Sequence, residues 1–414
     1  MGTYRGAWLG WLLALALAGG GETQRLAFVE REEDALRLKI WQPGRPQGLE
    51  VARDIGGPWG WSPQGRWIAF LNTRRQVGVS DADIGRARIL EVGEVLRFGW
   101  APHGVLCGLK AGEGPVVGDY WEWEPERQTA RVLAPLCAHW VWSPNGERVA
   151  ILTVPREQAR AQRVDEVRGQ WKWRAREEGV WHPWNLSNAL AAFAWSPDGQ
   201  WALAVQGKLD YEEARSAPVL LRRIGRLTML SLPSASPAHL FLREEYEWME
   251  DRLATDGEFS WAPDGNWFVY FLTDIRSPLP LQPSPSVYGY CLISPPDGSQ
   301  RREWIFLKTP SPAVRRSLQW LGERLLWATV QDSVWVLNAY STRRKAQEAL
   351  ALKVFWFEVS PRGDQVAILA EERPGRTGVF LWNGEGAPSL WLSAPELVRL
   401  AWSPDGQWLA AGSR

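Results

Sequence analysis

A five-residue phrase, Trp-Ser/Ala-Pro-x-Gly, recurs along almost the whole chain of 414 residues. The version AWSPDGQW stands unchanged at 194–201 and 401–408. Seven of eight copies keep both the proline and the glycine, and only WLGER at 320–324 does not. The residues that open the copies are Trp61, Trp100, Trp142, Trp195, Trp261, Trp320, Val359 and Trp402. A repeat at spacings of 39 to 66 residues indicates one repetitive domain rather than the two or three that length alone suggests.

The phrase has the chemistry of a β-turn that joins two strands. Proline presets φ to roughly −65°, the preceding Ser can bond back to the backbone, and Gly accepts the positive φ that follows. Position x holds Gln64, His103, Asn145 or Arg362 in different copies, so it needs no particular charge and is read as a turn residue. Apolar, strand-like runs flank the turn, as in RVLAPLCAHWVW at 131–142.

Two further strand-like runs follow each hairpin, such as DSVWVLNA at 332–339 and ALKVFWFEV at 351–359. Four strands in a unit of about 40 residues are typical of a propeller blade. The predicted fold class is therefore all-β, a β-propeller with eight four-stranded blades, one for each copy of the phrase. Seven blades are the alternative, because the copy at Trp320 is weak and strands overlap at the seam.

The two ends of the chain suggest how the ring closes. The last copy of the phrase is followed by only one more strand-like run, LAAGS at 409–413. Residues 25–52 resemble the later strands of a unit that lacks its leading turn. Pairing of the N- and C-terminal segments would complete that blade and remove exposed sheet edges. We therefore expect the ring to be closed by this pairing.

The first residues have the pattern of a secretory signal peptide. Arg5 precedes an apolar run at 7–18, and the run ends in a small-residue cleavage pattern, Ala-Leu-Ala. The run is short for a membrane span, so an uncleaved N-terminal anchor or a buried strand is the alternative. We predict a signal peptide at 1–18, a single propeller domain at 19–414, an extracytoplasmic location and no membrane span after the signal region.

The repeated phrase followed by an apolar strand resembles the WD40-like PD repeat of TolB-like β-propellers, and the resemblance covers nearly everything after residue 18. It implies the propeller fold and leaves the function open, because such propellers serve as binding scaffolds, gating domains of enzymes and assembly hubs. The chain departs from the family pattern at WLGER and in three stretched units between Trp142 and Trp320.

Composition argues against several classes of function. The 47 basic and 47 acidic residues give no net charge, so nucleic acid is not expected as a partner. Three cysteines without Cys-x-x-Cys spacing exclude a disulfide scaffold, and Cys107 is expected to be a buried thiol. The four histidines lack metal-ligand spacing, and no Gly-x-Ser-x-Gly nucleophile motif occurs. We expect no cofactor, no metal and no catalytic residues, and a monomeric chain.

The three stretched units carry long insertions, which are where a rigid ring usually acquires a site, with neutral loop variation as the alternative. The first of them contains GQWKWRAREEGVWHPWN at 169–185. Indole rings beside cations can stack on a sugar or a peptide, whereas packing between blades would explain the same residues structurally. The candidate ligand-binding residues here are Trp171, Trp173, Trp181 and Trp184.

A second candidate is the acidic segment REEYEWMEDRLATDGE at 243–258. It resembles a segment before a blade turn in propellers of the dipeptidyl-peptidase type, where two glutamates hold the amino terminus of a substrate. The resemblance implies amine or cation binding, and a solvated loop is the alternative. The residues concerned are Glu244, Glu245, Glu247 and Glu250. The proline-rich stretch at 276–286 predicts an extended, exposed loop.

The expected function is that of an extracytoplasmic, non-catalytic module that binds a protein, peptide or glycan partner. Two alternatives stay open. One is an enzyme of the lyase or glycosidase type that uses the propeller channel. The other is an accessory propeller of a peptidase system.

Overall fold

The computed structural model describes residues 16–18, 25–32, 35–41, 48–164, 167–184, 189–208, 224–231, 237–241, 252–253, 259–275, 287–293, 302–307, 315–331, 334–350, 353–395, 397–402 and 406–413. Within these ranges the chain is almost entirely antiparallel β-strand, with a short 3₁₀ helix at Arg156–Gln158. No helix in these ranges is long and apolar enough to cross a membrane. The chain divides into two units: Met1–Glu94 with Leu352–Arg414 forms the first, and Val95–Ala351 forms the second.

The strands are numbered in chain order. The first sixteen are β1 Ala16–Ala18, β2 Arg25–Glu32, β3 Ala35–Trp41, β4 Leu49–Ala52, β5 Ile55–Trp61, β6 Trp67–Asn72, β7 Gln76–Asp81, β8 Ala87–Trp100, β9 Leu106–Ala111, β10 Gly118–Glu124, β11 Thr129–Trp142, β12 Arg148–Thr153, β13 Gln170–Ala175, β14 His182–Pro183, β15 Ala189–Trp195 and β16 Trp201–Lys208. The others are β17 Ile224–Ser231, β18 Pro237–Phe241, β19 Arg252–Leu253, β20 Phe259–Trp261, β21 Phe268–Ile275, β22 Val287–Ile293, β23 Arg302–Leu307, β24 Arg315–Leu321, β25 Arg324–Gln331, β26 Val334–Ser341, β27 Ala346–Leu350, β28 Val354–Val359, β29 Val366–Arg373, β30 Arg376–Trp382, β31 Ser389–Ala394, β32 Leu397–Trp402 and β33 Leu409–Ser413.

In the first unit, strands that follow one another in sequence also pair side by side. The sheets are β1-β2-β3-β4, β5-β6-β7 with the first half of β8, and β28-β29-β30-β31, and β32 pairs with β33. Their apolar faces meet between sheets: Ile68 and Phe70 of β6 pack in one cluster with Leu38 and Ile40 of β3. Burying alternate apolar residues on both faces of a sheet is what stacks one sheet on the next.

The second unit repeats the same plan. Its ladders are β8-β9-β10-β11, β11-β12-β13-β14, β15-β16-β17-β18, β21-β22-β23 with β19 and β20 beside β21, and β24-β25-β26-β27. The long strand β11 serves two sheets, because its first half pairs with β10 and its second half with β12. Successive four-stranded antiparallel sheets of this kind are propeller blades, so the predicted all-β propeller fold is confirmed. The number of blades, eight or seven, stays a prediction.

The Pro-x-Gly turns have the predicted geometry. The N–H of Gly146 donates to the carbonyl of Ser143 at 2.8 Å, and Gly146 has a φ of +71°. The Ser143 hydroxyl accepts a hydrogen bond from the backbone N–H of Arg148 at 2.9 Å. The degraded copy still makes a hairpin between β24 and β25, with Gly322 at a φ of +53°.

In three copies the x side chain also packs on the glycine of the next turn. A Cβ atom at Gly199 would lie 3.0 Å from two atoms of the Asn145 side chain. The contacting pairs are His103 with Gly146, Asn145 with Gly199 and, in the first unit, Arg362 with Gly406. Position x was expected to be only a turn residue, and the structure adds a contact between sheets to that role.

Two of the tryptophans that open the phrase also tie neighbouring sheets together through a hydrogen bond. The indole N–H of Trp195 donates to the carbonyl of Val141 at 3.0 Å. In the first unit the indole N–H of Trp402 makes the equivalent bond to the carbonyl of Glu358 at 3.0 Å. At these two positions the opening tryptophan is therefore a scaffold residue that bonds to the preceding sheet.

Strand direction determines at which end of a sheet each connection starts and finishes. We call the end with the Pro-x-Gly turns the turn end, and the opposite end the loop end. Because neighbouring strands are antiparallel, the connection between the second and third strands of each sheet starts and finishes at the loop end. The connection from β12 to β13 is of this type and is described at residues 154–164 and 167–169. The segment 176–181, which joins β13 to β14, lies at the turn end instead.

The N-terminal sheet begins with residues of the predicted leader. Strand β1 pairs with β2, with Ala16 opposite Ala27 and Ala18 opposite Arg25. Where the chain is described, β32 and β33 pair only with each other, and β32 contacts β1. Cleavage of the leader and closure of the ring by the terminal segments both stay predictions.

Candidate functional site

The structure describes one of the two predicted binding segments. All four tryptophans of the first segment lie within 167–184, in the second unit. The acidic residues Glu244, Glu245, Glu247 and Glu250 lie outside the described residues, as does the proline-rich stretch 276–286.

Trp171 and Trp184 are core residues. Neither side chain has exposed surface, and both belong to a cluster between two adjacent sheets. The ring of Trp171 lies 4.4 Å from that of Phe193, and the ring of Trp184 lies 5.7 Å from that of Trp195. These two indoles therefore pack between blades and offer no face to a ligand, because the neighbouring sheet covers them.

Trp173 and Trp181 keep exposed surface at the turn end. The Trp173 ring lies against the His182 ring, with 4.8 Å between centroids and 31° between planes. The Trp181 indole N–H donates to the carbonyl of Leu133 at 3.3 Å. Val180 beside them is 64% exposed. We call Trp173, Val180, Trp181 and His182 the aromatic surface.

A buried ion pair supports this surface from below. One terminal nitrogen of Arg174 donates to both carboxylate oxygens of Glu122 at 2.6 Å, and the Tyr120 hydroxyl donates to the same carboxylate at 2.7 Å. Both charged side chains are nearly buried. The guanidinium carbon of Arg174 lies 5.3 Å from the centre of the Trp181 ring, within cation–π distance. The network therefore connects β10, β13 and the aromatic surface.

Titratable groups around this network are held in their neutral forms. Burial raises the pKa of the Cys107 thiol to about 12, helped by the charge of Glu122. Burial likewise raises the pKa of Tyr120. Cys107 is a buried free cysteine, as predicted, and its thiol is not a nucleophile at neutral pH.

His103 at the turn end is also kept neutral. Its ring packs edge to face on Trp142 at 4.5 Å. Burial lowers its pKa to about 4, and the charges of Arg176 and Arg174 act in the same direction. The histidine is therefore a neutral packing group at pH 7.

The loop end of the second unit carries a second feature, a β-bulge near the start of its first strands. In β8 the extra residue is Leu96, and Arg97 follows it. In β11 the extra residue is Ala138, and His139 follows it. A bulge changes the direction of the side chains next to it and is common beside binding sites. Corresponding bulges in the first unit lie at Phe355 and Val398.

Arg97 and His139 occupy the same position of the repeat, three residues before Trp100 and Trp142. Arg97 is not among the site residues predicted from the sequence. Both residues can be found by aligning the copies of the phrase, because the position three residues before the opening tryptophan varies in charge.

The candidate positions lie at opposite ends of the second unit. The aromatic surface lies at the turn end, and Arg97 and His139 lie at the loop end. The aromatic surface and the pair of Arg97 and His139 are thus two separate places in the second unit.

No protein-family model matches the chain, and no curated protein matches its sequence. A structure of the eukaryotic initiation factor is similar with a TM-score of 0.55 at 11% identity, covering 92% of this chain and 89% of that one. The β-propeller domain of the trilobed protease from Pyrococcus furiosus has a TM-score of 0.40 at 10% identity, with coverages of 90% and 94%. TolB from Acinetobacter baumannii has a TM-score of 0.33 at 14% identity, with coverages of 69% and 64%. The first similarity shows a shared fold alone, and the other two are too weak to carry an argument.

Proposed function

We propose that the protein is a non-catalytic module that binds a protein, peptide or glycan partner through the aromatic surface. The observation that carries the proposal is the pairing of two partly exposed indoles, Trp173 on β13 and Trp181 on the connection that follows it, with an exposed Val180. Tryptophan contributes a large, rigid contact area, and such residues dominate the binding energy of many interfaces.

The support beneath the aromatic surface favours binding as well. The buried pair of Arg174 and Glu122 and the bond from Trp181 to Leu133 hold the rings in place before a partner arrives. A surface that is already ordered loses less conformational entropy on association. Exposed charges of both signs, Arg176, Glu177 and Glu178, flank the rings and suit a polar rim.

We also assign the chain to the TolB-like PD-repeat propellers, on the strength of its Pro-x-Gly repeat, and to an extracytoplasmic compartment. The basis for the location is the leader pattern of 1–18. Fractionation of cells that express the full chain, followed by N-terminal sequencing, tests it. Full-length chain recovered only from the cytoplasm would contradict the assignment.

Peptide and glycan arrays probed with the labelled full chain test the binding function. Trp173→Ala and Val180→Asp should weaken binding to the recognised spots at least about tenfold, the loss expected for a central contact. Trp408→Ala removes an exposed indole in the first unit and serves as the matched control, with binding unchanged. Thermal unfolding of each variant separates loss of binding from loss of fold.

Two results would overturn the proposal. One is unchanged binding by both Trp173→Ala and Val180→Asp. The other is turnover of the bound ligand by the purified protein, which would favour the enzyme alternative.

A further inference from the structure

The Arg97 guanidinium is fixed at the loop end by uncharged partners. It donates to the carbonyl of Ala138, and its central carbon lies 5.1 Å from the centre of the Trp140 ring. Residues 138–142 pair with β12 alone, so this carbonyl belongs to the unpaired edge of β11 at its bulge. The bond to Ala138 uses one of the five N–H groups of the guanidinium.

The charge of Arg97 lacks a balancing carboxylate among the residues that the structure describes, since none of them forms an ion pair with it. Burial lowers the pKa of the guanidinium, which shows that its surroundings disfavour the charge. Burying a cation without an anion is costly, and an incoming anion would recover that cost.

His139 supplies a neutral donor next to this cation. The backbone N–H of Trp140 donates to its Nδ1 at 2.9 Å. Burial, together with the charge of Arg97, lowers the pKa of His139 to about 4. The neutral ring therefore carries its proton on Nε2, which makes Nε2 a hydrogen-bond donor at pH 7.

We propose that Arg97 and His139 form a binding site for a carboxylate group at the loop end of the second unit. One fixed cation and one neutral donor balance a single negative charge, which matches a carboxylate better than a phosphate dianion. The planar guanidinium fork pairs with both oxygens of a carboxylate. The carboxylate comes from a small acid or from the end or side chain of a peptide.

Other charges near the bulge of β11 fit this assignment. Asp119 accepts a hydrogen bond from the backbone N–H of Leu136 at 3.3 Å, which engages its carboxylate. The charges of Asp119 and Lys172 act on the nearby Cys137 thiol in opposite directions, so these two groups together add no net charge to the region. A purely structural role, in which Arg97 only holds the bulge, predicts a loss of stability on substitution and no carboxylate binding.

Saturation-transfer NMR with acetate as the probe tests the site on the full chain. We expect transfer to the acetate methyl group in the wild type. Acetyl-trialanine with a free carboxylate should displace acetate, and the same peptide with a C-terminal amide should not. Displacement by the free acid assigns the site to peptide carboxylates, and its absence assigns the site to small acids.

Variants identify the residues responsible. Arg97→Met should weaken acetate binding at least tenfold, and Arg97→Lys and His139→Ala by several fold each. The matched control is Arg131, an exposed arginine in the first half of β11, the strand that also contains His139. Arg131→Met should bind acetate as tightly as the wild type. The site is excluded if the wild type shows no transfer, or if Arg97→Met binds as tightly as the wild type. Should Arg97→Met fail to fold, unchanged affinity in both Arg97→Lys and His139→Ala would exclude it instead.

Discussion

Gly199 has a φ of +68°, and a Cβ atom there would lie 3.0 Å from the Asn145 side chain. Gly265 has a φ of +72°, with no atom within 4 Å of such a Cβ. Both changes to alanine place a side chain in the left-handed region, which costs about 1–2 kcal/mol. Only Gly199→Ala also displaces a neighbour, so it should lower the free energy of unfolding in urea more than Gly265→Ala. Equal losses would contradict this, and adding Asn145→Ala should remove the difference.

His103 gives stability a pH dependence of known sign. Its pKa is about 4 in the folded chain and ordinarily about 6.5, so between these values the unfolded chain binds more protons. The free energy of unfolding therefore falls as pH drops from 6.5 to 4. His103→Gln removes this titration and should reduce the slope in that window, to which His139 also contributes, measured by urea denaturation at a series of pH values. A slope identical to that of the wild type would show that His103 is accessible and charged in the folded state.

Some roles of single residues could be predicted from sequence and others could not. The proline and glycine of each turn were predictable because their backbone preferences act locally. The contact of Asn145 on Gly199 was not, because the two residues come from different sheets. Trp171 and Trp173 are two residues apart on one strand, yet only Trp171 is fully buried, beneath Phe193. Its burial depends on where the adjacent sheet lies.

Among the elements of the fold, the strands and hairpins could be predicted from the repeat in the sequence, whereas the bulges could not. A bulge is a mismatch in length between two paired strands, and its extra residue has no fixed chemistry. The bulged positions here are Leu96, Ala138, Phe355 and Val398, which share only their apolar character. The residues that follow them could therefore be recognised as a group only after the pairing was known.

The ion pair between Glu122 and Arg174 joins strands of adjacent sheets, β10 and β13. Glu122→Gln leaves a buried guanidinium without its counter-charge, and we expect it to lower the free energy of unfolding by about 3–5 kcal/mol. Glu113→Gln breaks the exposed pair with Arg160 and should cost less than about 1 kcal/mol. Urea denaturation of the two variants gives the comparison, and similar losses would show that the buried pair does not stabilise the contact between sheets.

For the whole molecule, the repeat predicted the fold class because the same turn and strand chemistry recurs in every unit. It predicted less about function, because binding depends on the parts that differ between units. The Arg97 position differs from its counterparts in its side chain, and the aromatic surface lies in one of the stretched units. The seam of the ring is the other place where the units differ.

The seam leads to a prediction about the termini. Strand β1 consists of the last residues of the predicted leader, so cleavage after Ala18 would leave the edge of β2 unpaired. Strand β32 contacts β1, and it ends at Trp402, the tryptophan that opens the last copy of the repeated phrase. In the processed chain we therefore expect β32 to pair with β2 in place of β1. An unpaired strand edge is unfavourable, and this pairing would cover it.

Deleting residues 395–414 should therefore harm a chain that begins at Gly19 more than the full chain, because only the full chain keeps β1 on the edge of β2. Circular dichroism gives the midpoint of thermal unfolding for four chains, with and without residues 1–18 and with and without residues 395–414. We expect the deletion of 395–414 to lower this midpoint by several degrees more in the chain that begins at Gly19 than in the full chain. Equal shifts would mean that β32 does not pair with β2 after processing. A larger shift in the full chain would mean that the hairpin depends on β1.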